Sequence, residues 1–202
     1  FTAWFPGTYS VTLSQRVRGV ESDIAGPVEF QTRLLKNNTT VTDDFAELLA
    51  FQKEAGELQR SVRGAVNTAR DAQSRLNHIR QAINDAPALD RAMLDEVDGL
   101  ETRLKDLRIV LEGDRAISGR SEPTTPSVTG RTGMIMWTSR DITSSPTETM
   151  RRNLDIAAGQ FGPLLQDLTS LVVEDLKSLE DRLEAAGAPH TPGRIPVWQG
   201  SN

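Results

Sequence analysis

The chain has 202 residues, enough for one ordinary domain to bury a core without the help of disulfides or metals. Apolar residues make up 37% and aromatic residues 5%, a mixture typical of long amphipathic helices, and the absence of cysteine excludes disulfides, thiolate metal ligands and thiol catalysis. The 28 acidic and 23 basic residues are interleaved and give a formal net charge of -5, so no basic stripe is available for a phosphate backbone and we expect no nucleic-acid partner.

The first predicted element is a β-hairpin near the N-terminus. Apolar and polar residues alternate over 8–14 and again from Pro27, and Gly19 and Gly26 predict a turn between the two strands. Because an isolated two-stranded hairpin is marginal in water, we expect it to lean on the helices or on further strands. The alternating apolar positions are Tyr9, Val11 and Leu13 in the first strand and Val28 and Phe30 in the second.

A long helix is predicted from about Asp43 to Asp85, with Thr42 as its N-cap and Pro87 beyond its end. Counting by sevens places apolar residues at every a and d position, which is typical of a coiled-coil-like seam. The a positions are Leu48, Ala55, Val62, Ala69, Leu76 and Ile83, and the d positions are Phe51, Leu58, Ala65, Ala72 and Ile79.

Two further helices are predicted before the C-terminal one. The first opens near Ala88 and ends at Gly113, with apolar residues in steps of four and three, and its short link to the preceding helix predicts an antiparallel pair. A segment rich in Ser, Thr, Gly and Pro follows, in which Ser127 predicts the cap of a short helix. We expect Met134, Met136 and Trp137 from this segment to fill the stretch of small residues around Ala69.

The last helix is predicted to start at Ser145, which forms a capping-box pattern with Glu148 and is followed by Pro146 in the first turn, and to end at Gly187. Pro163 lies inside it and predicts a kink near Gly159 to Phe161. Beyond it, the tail has Trp198 as its expected anchor. The predicted apolar stripe is Leu154, Ala158, Phe161, Leu165, Leu168, Val172, Leu176, Leu179, Leu183 and Ala186.

Together these elements predict a mainly α fold: a long antiparallel bundle of three long helices and a short one, with a small N-terminal β-hairpin. The expected domains are a hairpin over 1–36, a helical bundle over 37–188 and an extended tail over 189–202. The longest apolar runs are only a few residues, so we expect no transmembrane segment. The chain begins at Phe1 without a signal-peptide pattern, and we expect it to start inside a longer protein.

The sequence shows no catalytic constellation. His78 is predicted to point outward and His190 lies in the Pro/Gly tail; the residues three before them, Arg75 and Gly187, exclude a di-iron bundle of the Glu-x-x-His kind. The sequons at Asn37 and Asn38 indicate an exposed loop. Acidic runs on helices are typical of solvated faces, and they are Asp95-Glu96-Asp98, Glu174-Asp175 and Glu180-Asp181-Glu184.

The N-terminal PGTYSVTL, the following GPVEFQTRLL and the closing EAAGAPHTPGRIPVW carry a family resemblance. The chain resembles the C-terminal region of large bacterial proteins built from sortilin-type BNR (Asp-box) β-propeller repeats, which are often labelled glycosyl hydrolases. The resemblance implies an extracytoplasmic location, periplasmic or secreted, and an upstream β-domain. It carries no catalytic residue over, because the Asp-boxes would lie before Phe1.

We therefore expect a non-catalytic helical structural or interaction module, with no catalytic, cofactor-binding or metal-binding residues of its own. Its expected partner is the upstream β-domain of the same chain or another protein. Two alternatives stay open: a self-associating coiled-coil adaptor, which would make the chain a homo-oligomer, and, more remotely, a helical hydrolase using Asp95, Glu96 or Glu174.

Overall fold

The structure is a computed structural model that describes residues 6–33, 40–86, 89–120, 122–140 and 142–198. It is mainly helical and has a two-stranded antiparallel hairpin near the N-terminus, so both of these predictions are confirmed. The chain divides into two compact units, one formed by Phe1–Glu54 with Thr138–Thr147 and the other by Ala55–Trp137 with Glu148–Asn202. Both sequons and the predicted boundary between residues 36 and 37 lie outside the described residues.

The hairpin of the first unit is longer than predicted. Strand β1 spans Gly7–Val17 and β2 spans Val20–Thr32, so most of the expected loop is strand. Arg18 and Gly19 form the two-residue turn, both with positive φ (52° and 85°), as in the turns that match the twist of a hairpin. Gly26 lies within β2, where the register shifts; its φ is 101° and a Cβ there would come within 2.7 Å of the Val11 carbonyl oxygen.

In the rest of the first unit, the start of helix α1 (Phe45–Asp85) is held to the segment 138–147. The cap of α1 is Asp44, whose Oδ1 accepts the Glu47 N–H at 2.8 Å, so the prediction of Thr42 as the cap is wrong. Thr42 instead donates its N–H to the Thr143 carbonyl and shares a hydrogen bond with the hydroxyl of Ser145. Ser145 is thus not a helix cap, and α5 (Glu148–Ser170) begins beyond it.

The second unit contains most of α1 and the remaining helices. Helix α2 spans Ala92–Glu112 and starts later than predicted, at an Asp90 side chain that accepts the Ala92 N–H. A short α3 (Arg115–Ser118), absent from the predictions, is capped by Asp114. Helix α4 (Val128–Ser139) confirms the predicted short helix, with the Ser127 hydroxyl accepting the Gly130 N–H. The predicted link residue Pro87 lies outside the described residues.

The a/d seam of α1 is confirmed as the buried face of that helix. Every predicted a position is buried, and all d positions are buried except Leu58, which is partly buried against the core. The expectation for the narrow part of this seam is wrong for Met134 and Trp137, whose side chains are exposed, whereas Met136 is partly buried. The residues of α5 that share the core cluster with Ala65, Ala69 and Ala72 are Phe161, Leu164 and Leu168.

The C-terminal helical stretch contains a π-helical segment, and it departs from the predicted stripe both before and within that segment. Helix α5 runs through Pro163 to Ser170, Leu171–Asp175 is π-helical, and α6 spans Leu176–Ala185. The buried leucines on either side, Leu171 and Leu176, are five residues apart, one more than an α-helical stripe allows. The structure buries Ala157, Leu164 and Leu171, and leaves the predicted Ala158, Leu165 and Ala186 exposed and Val172 partly buried.

Helix α6 ends in a Schellman motif. The Ala188 N–H donates to the Leu183 carbonyl and the Gly187 N–H to the Glu184 carbonyl, with Gly187 at a φ of 68°. Arg194 folds back over this end and donates to the Pro189 carbonyl at 2.8 Å and to the Glu184 carboxylate. The side chain of Trp198 is 88% exposed, so Arg194 anchors the tail and the prediction for Trp198 is wrong.

Candidate interaction surface

The hairpin carries an apolar face whose two valines are exposed. Tyr9 pairs with Phe30 across the strands and Val11 with Val28, and because paired residues point the same way, these four side chains form one surface, here called the hairpin face. The rings of Tyr9 and Phe30 stack with centroids 5.9 Å apart. The alternation that predicted this face is therefore confirmed in its register.

The valines of the hairpin face are exposed to solvent, although alternating apolar residues are typical of a strand with one buried face. Val11 is 56% exposed and Val28 is 61% exposed, and of the strand residues only Tyr9 and Thr32 are partly buried. The sheet has two strands within the described residues, so each strand also has an edge without a neighbouring strand. The hairpin thus offers both an apolar face and backbone edges.

Two side-chain hydrogen bonds join the strands near the turn. Ser14 donates its hydroxyl to Asp23 at 2.7 Å and Gln15 donates its side-chain amide to Ser22 at 3.3 Å. These contacts join the two strands to each other and fix their register near the turn. They add no cover to Val11 or Val28.

The two histidines lie in different elements, His78 in α1 and His190 in the tail. His78 is exposed, as predicted, and its Nδ1 lies 2.7 Å from the Ser74 carbonyl on the same helix. His190 lies in the tail, with Nε2 3.2 Å from the Arg194 carbonyl. Among the described residues, His, Asp and Glu side chains do not gather in threes suited to a metal ion.

Some carboxylates of the acidic runs form ion pairs with arginines of other helices. Glu96 binds Arg182 at 2.5 Å and Asp175 binds Arg103 at 2.6 Å. Two of the three candidates of the hydrolase alternative do not make an ion pair of this kind in the described residues; Asp95 is exposed and Glu174 accepts the Ser170 hydroxyl at 2.8 Å.

One acid contradicts the expectation of a solvated face. Glu180 is 2% exposed, and Arg75 of α1 donates to both of its oxygens, at 2.8 and 2.7 Å. Gly193 of the tail lies against this arginine, since a Cβ there would come within 2.9 Å of Arg75 Nε. The pair escaped prediction because its partners are 105 residues apart in sequence; the single available signal was the position of Glu180 beside the core residue Leu179.

The Glu184 carboxylate joins the helix end to the tail. It accepts the Val197 N–H at 3.0 Å and lies in an ion pair with Arg194, whose side chain is 3% exposed. The Val197 N–H and then the Arg194 guanidinium lower the pKa of Glu184 below its ordinary value.

No family model, curated protein or solved structure matches the chain. In the part of the chain that the structure describes, no helix has an apolar stretch of the length that crossing a membrane requires. Among the described residues, the surface that the geometry singles out is the hairpin face.

Proposed function

We propose that the protein is a non-catalytic structural or interaction module whose hairpin docks on a β-rich domain. The observation that carries the proposal is the exposure of Val11 and Val28 on a face that also holds the stacked Tyr9 and Phe30. Covering the exposed half of each valine is worth on the order of 1 kcal/mol. A hairpin that is marginal by itself would gain stability from such cover.

The chemistry of the hairpin favours a β-sheet as the partner surface. In the part of the chain that the structure describes, β1 and β2 pair only with each other, so their outer edges present N–H and C=O groups that another strand can pair with, and the adjacent apolar side chains supply specificity. The partner we propose is the β-domain upstream in the same chain, as the family resemblance implies, or else another protein. An extracytoplasmic location, periplasmic or secreted, belongs to the same proposal and rests on the same resemblance.

The helical part of the proposal is an antiparallel bundle of the long helices. Within the second unit, Arg70 pairs with Glu112 and Arg80 with Asp98 and Glu101, an order that runs in opposite directions along α1 and α2. Pairs between α2 and the C-terminal helical stretch follow the same opposite order: Glu96 with Arg182, and Arg103 with Asp175. These contacts support an up-down-up arrangement of the long helices.

The test is site-specific photo-crosslinking in the cells that make the protein. A photoreactive side chain replaces Val11 on the hairpin face or, as the matched control, Ser10, which pairs with Glu29 on the opposite side of the hairpin. We expect the label at Val11 to crosslink to a strand of a β-domain, identified by mass spectrometry, and the label at Ser10 to give at most a small fraction of that product. Equal labelling from both sites, or a crosslink to helices alone, contradicts the proposal.

The same experiment separates the proposal from self-association. A crosslink from Val11 to a second copy of this chain would support a homo-oligomer in place of a β-domain partner. The coiled-coil adaptor and the helical hydrolase stay predictions, since no contact among the described residues favours either over the docking module.

A further inference from the structure

A second feature lies in the second unit and is independent of the hairpin. A cavity of about 370 Å³ opens beside the end of α2, between that helix and the start of α3. Its volume lies within the range of small-molecule sites in proteins. The charged side chains Lys105, Arg108, Arg115, Glu101, Glu112 and Asp114 line it, together with Gln73 and Ile109.

The acidic side chains in the wall of this cavity already have partners. Glu101 forms an ion pair at 2.7 Å with Arg80, a residue that does not line the cavity. Asp114 accepts the N–H groups of Ala116 and Ile117 as the cap of α3. Glu112 is 9% exposed and is held by guanidiniums, as described next. The acceptor capacity of the wall is therefore largely used.

Glu112 lies among three arginines. Arg70 reaches its Oε2 at 2.9 Å, Arg108 Nε reaches its Oε1 at 3.0 Å, and Arg115 lies 3.5 Å from Oε2. A guanidinium has five N–H donors and a carboxylate has two oxygens, so this arrangement leaves most of the arginine donors for another acceptor. Two of the three arginines, Arg108 and Arg115, line the cavity itself.

Lys105 adds a cation to the same wall. It makes no hydrogen bond or ion pair with any residue in the described part of the chain, and it lines the cavity one helical turn before Arg108. The unmet hydrogen-bonding capacity of the cavity is thus that of cationic donors: an ammonium group and two guanidiniums whose orientation Glu112 helps to fix. Ile109 contributes an apolar wall beside them.

We propose that this cavity binds a small molecule bearing a phosphate or carboxylate group, with Lys105, Arg108 and Arg115 as the residues that contact the oxyanion. Arginine forks match the two oxygens of either group, and lysine adds a point charge. The volume exceeds that of a lone oxyanion, so the remainder of the ligand lies along Ile109. No residue of the hairpin face lines the cavity, so this proposal is independent of the proposed function.

The test is isothermal titration calorimetry of the full chain with pyrophosphate and, separately, with citrate, at constant ionic strength set by sodium chloride. We expect saturable binding of at least one probe. The double variant Lys105→Gln/Arg115→Gln is expected to weaken that binding at least about tenfold. Both side chains are on the surface, and circular dichroism melting checks that the variant is folded as the wild type is.

The matched control is Lys53→Gln/Arg60→Gln, which removes the same two charges from exposed positions of α1 outside the cavity. It is expected to bind within about twofold of the wild type. Binding of pyrophosphate alone assigns a phosphate ligand, binding of citrate alone a carboxylate ligand, and binding of both the shared oxyanion. Absence of saturation up to about 10 mM, or equal weakening in the two double variants, overturns the proposal.

Discussion

The contribution of the buried ion pair between Arg75 and Glu180 to stability can be measured by comparing a single variant with a double variant. Glu180→Ala leaves the Arg75 guanidinium without its carboxylate in a site where it is 24% exposed, and we expect the free energy of unfolding to fall by about 3 kcal/mol. The double variant Arg75→Met/Glu180→Leu removes both charges and is expected to stay near the wild type. Urea denaturation measures all of these values.

The control for this prediction is the neighbouring residue Asp181. It pairs with Lys177 one turn earlier on the same helix, and both side chains are exposed. Asp181→Ala is therefore expected to change the free energy of unfolding by less than about 0.5 kcal/mol. A similar loss in Glu180→Ala and Asp181→Ala would show that the buried pair has no special role.

Glu112 predicts how stability depends on pH. Burial raises the pKa of this carboxyl, but Arg70 and Arg108 outweigh the burial and hold the pKa below its ordinary value. A group whose pKa is lower in the folded protein stabilises the fold above its unfolded pKa, and this contribution is lost as pH falls through the folded pKa. We expect the urea midpoint to fall from pH 7 to pH 3 by less in Glu112→Gln than in the wild type.

The matched substitution for the pH experiment is Glu57→Gln, an exposed position of α1. Its loss of stability between pH 7 and pH 3 is expected to equal that of the wild type. If Glu112→Gln and Glu57→Gln show the same pH dependence, the arginines around Glu112 do not stabilise the fold through its charge.

At the scale of the elements, one hydrogen bond that joins the tail to the end of α6 can be tested directly. The Val197 N–H donates to the Glu184 carboxylate, so Glu184→Ala is expected to speed hydrogen exchange at that amide at least tenfold. The measurement is exchange followed by NMR, with Asp181→Ala as the control that leaves the Val197 contact intact. Unchanged exchange in Glu184→Ala would mean that another group protects this amide.

Some features of the helices could be predicted from the local sequence, and others could not. The a/d seam of α1 and the Ser127 cap of α4 follow from spacing and capping chemistry within a few turns, and both are confirmed. The predicted stripe of the C-terminal helix is confirmed at Leu154, Phe161, Leu168, Leu176, Leu179 and Leu183. It is wrong at Ala158 and Leu165, because the seven-residue steps are divided as three plus four in the structure and as four plus three in the prediction, and helical spacing allows both. The ion pair between Arg75 and Glu180 depends on how two distant segments pack together, and no local sequence pattern specifies that packing.

For the hairpin face, too, the sequence predicts some properties and only the structure shows the others. The alternation of Tyr9 and Val11 predicted a hairpin with one apolar face, and the strand register places these residues opposite Phe30 and Val28. Whether that face is covered is a tertiary property, and the sequence pattern of a covered strand is identical to that of an exposed one. The exposure of Val11 is therefore information that the structure adds.

For the molecule as a whole, stability is expected to be uneven. The hairpin strands are held by their mutual backbone bonds and have exposed side chains, whereas Leu76 and Leu104 are fully buried in the helical core. Hydrogen exchange followed by mass spectrometry is expected to show β1 and β2 exchanging at least tenfold faster than peptides around those leucines. Equal protection of strands and core helices would show that the hairpin unfolds only with the whole protein.

The π-helical segment Leu171–Asp175 has a consequence for how this protein can change over evolution. It accommodates the five-residue step from Leu171 to Leu176, so the segment has the form of a single-residue insertion absorbed without turning the downstream leucines away from the core. Losing one residue here would restore a four-residue step and leave the same face buried. Homologous sequences are therefore expected to differ by a one-residue gap at this place, while gaps elsewhere in the helix are selected against.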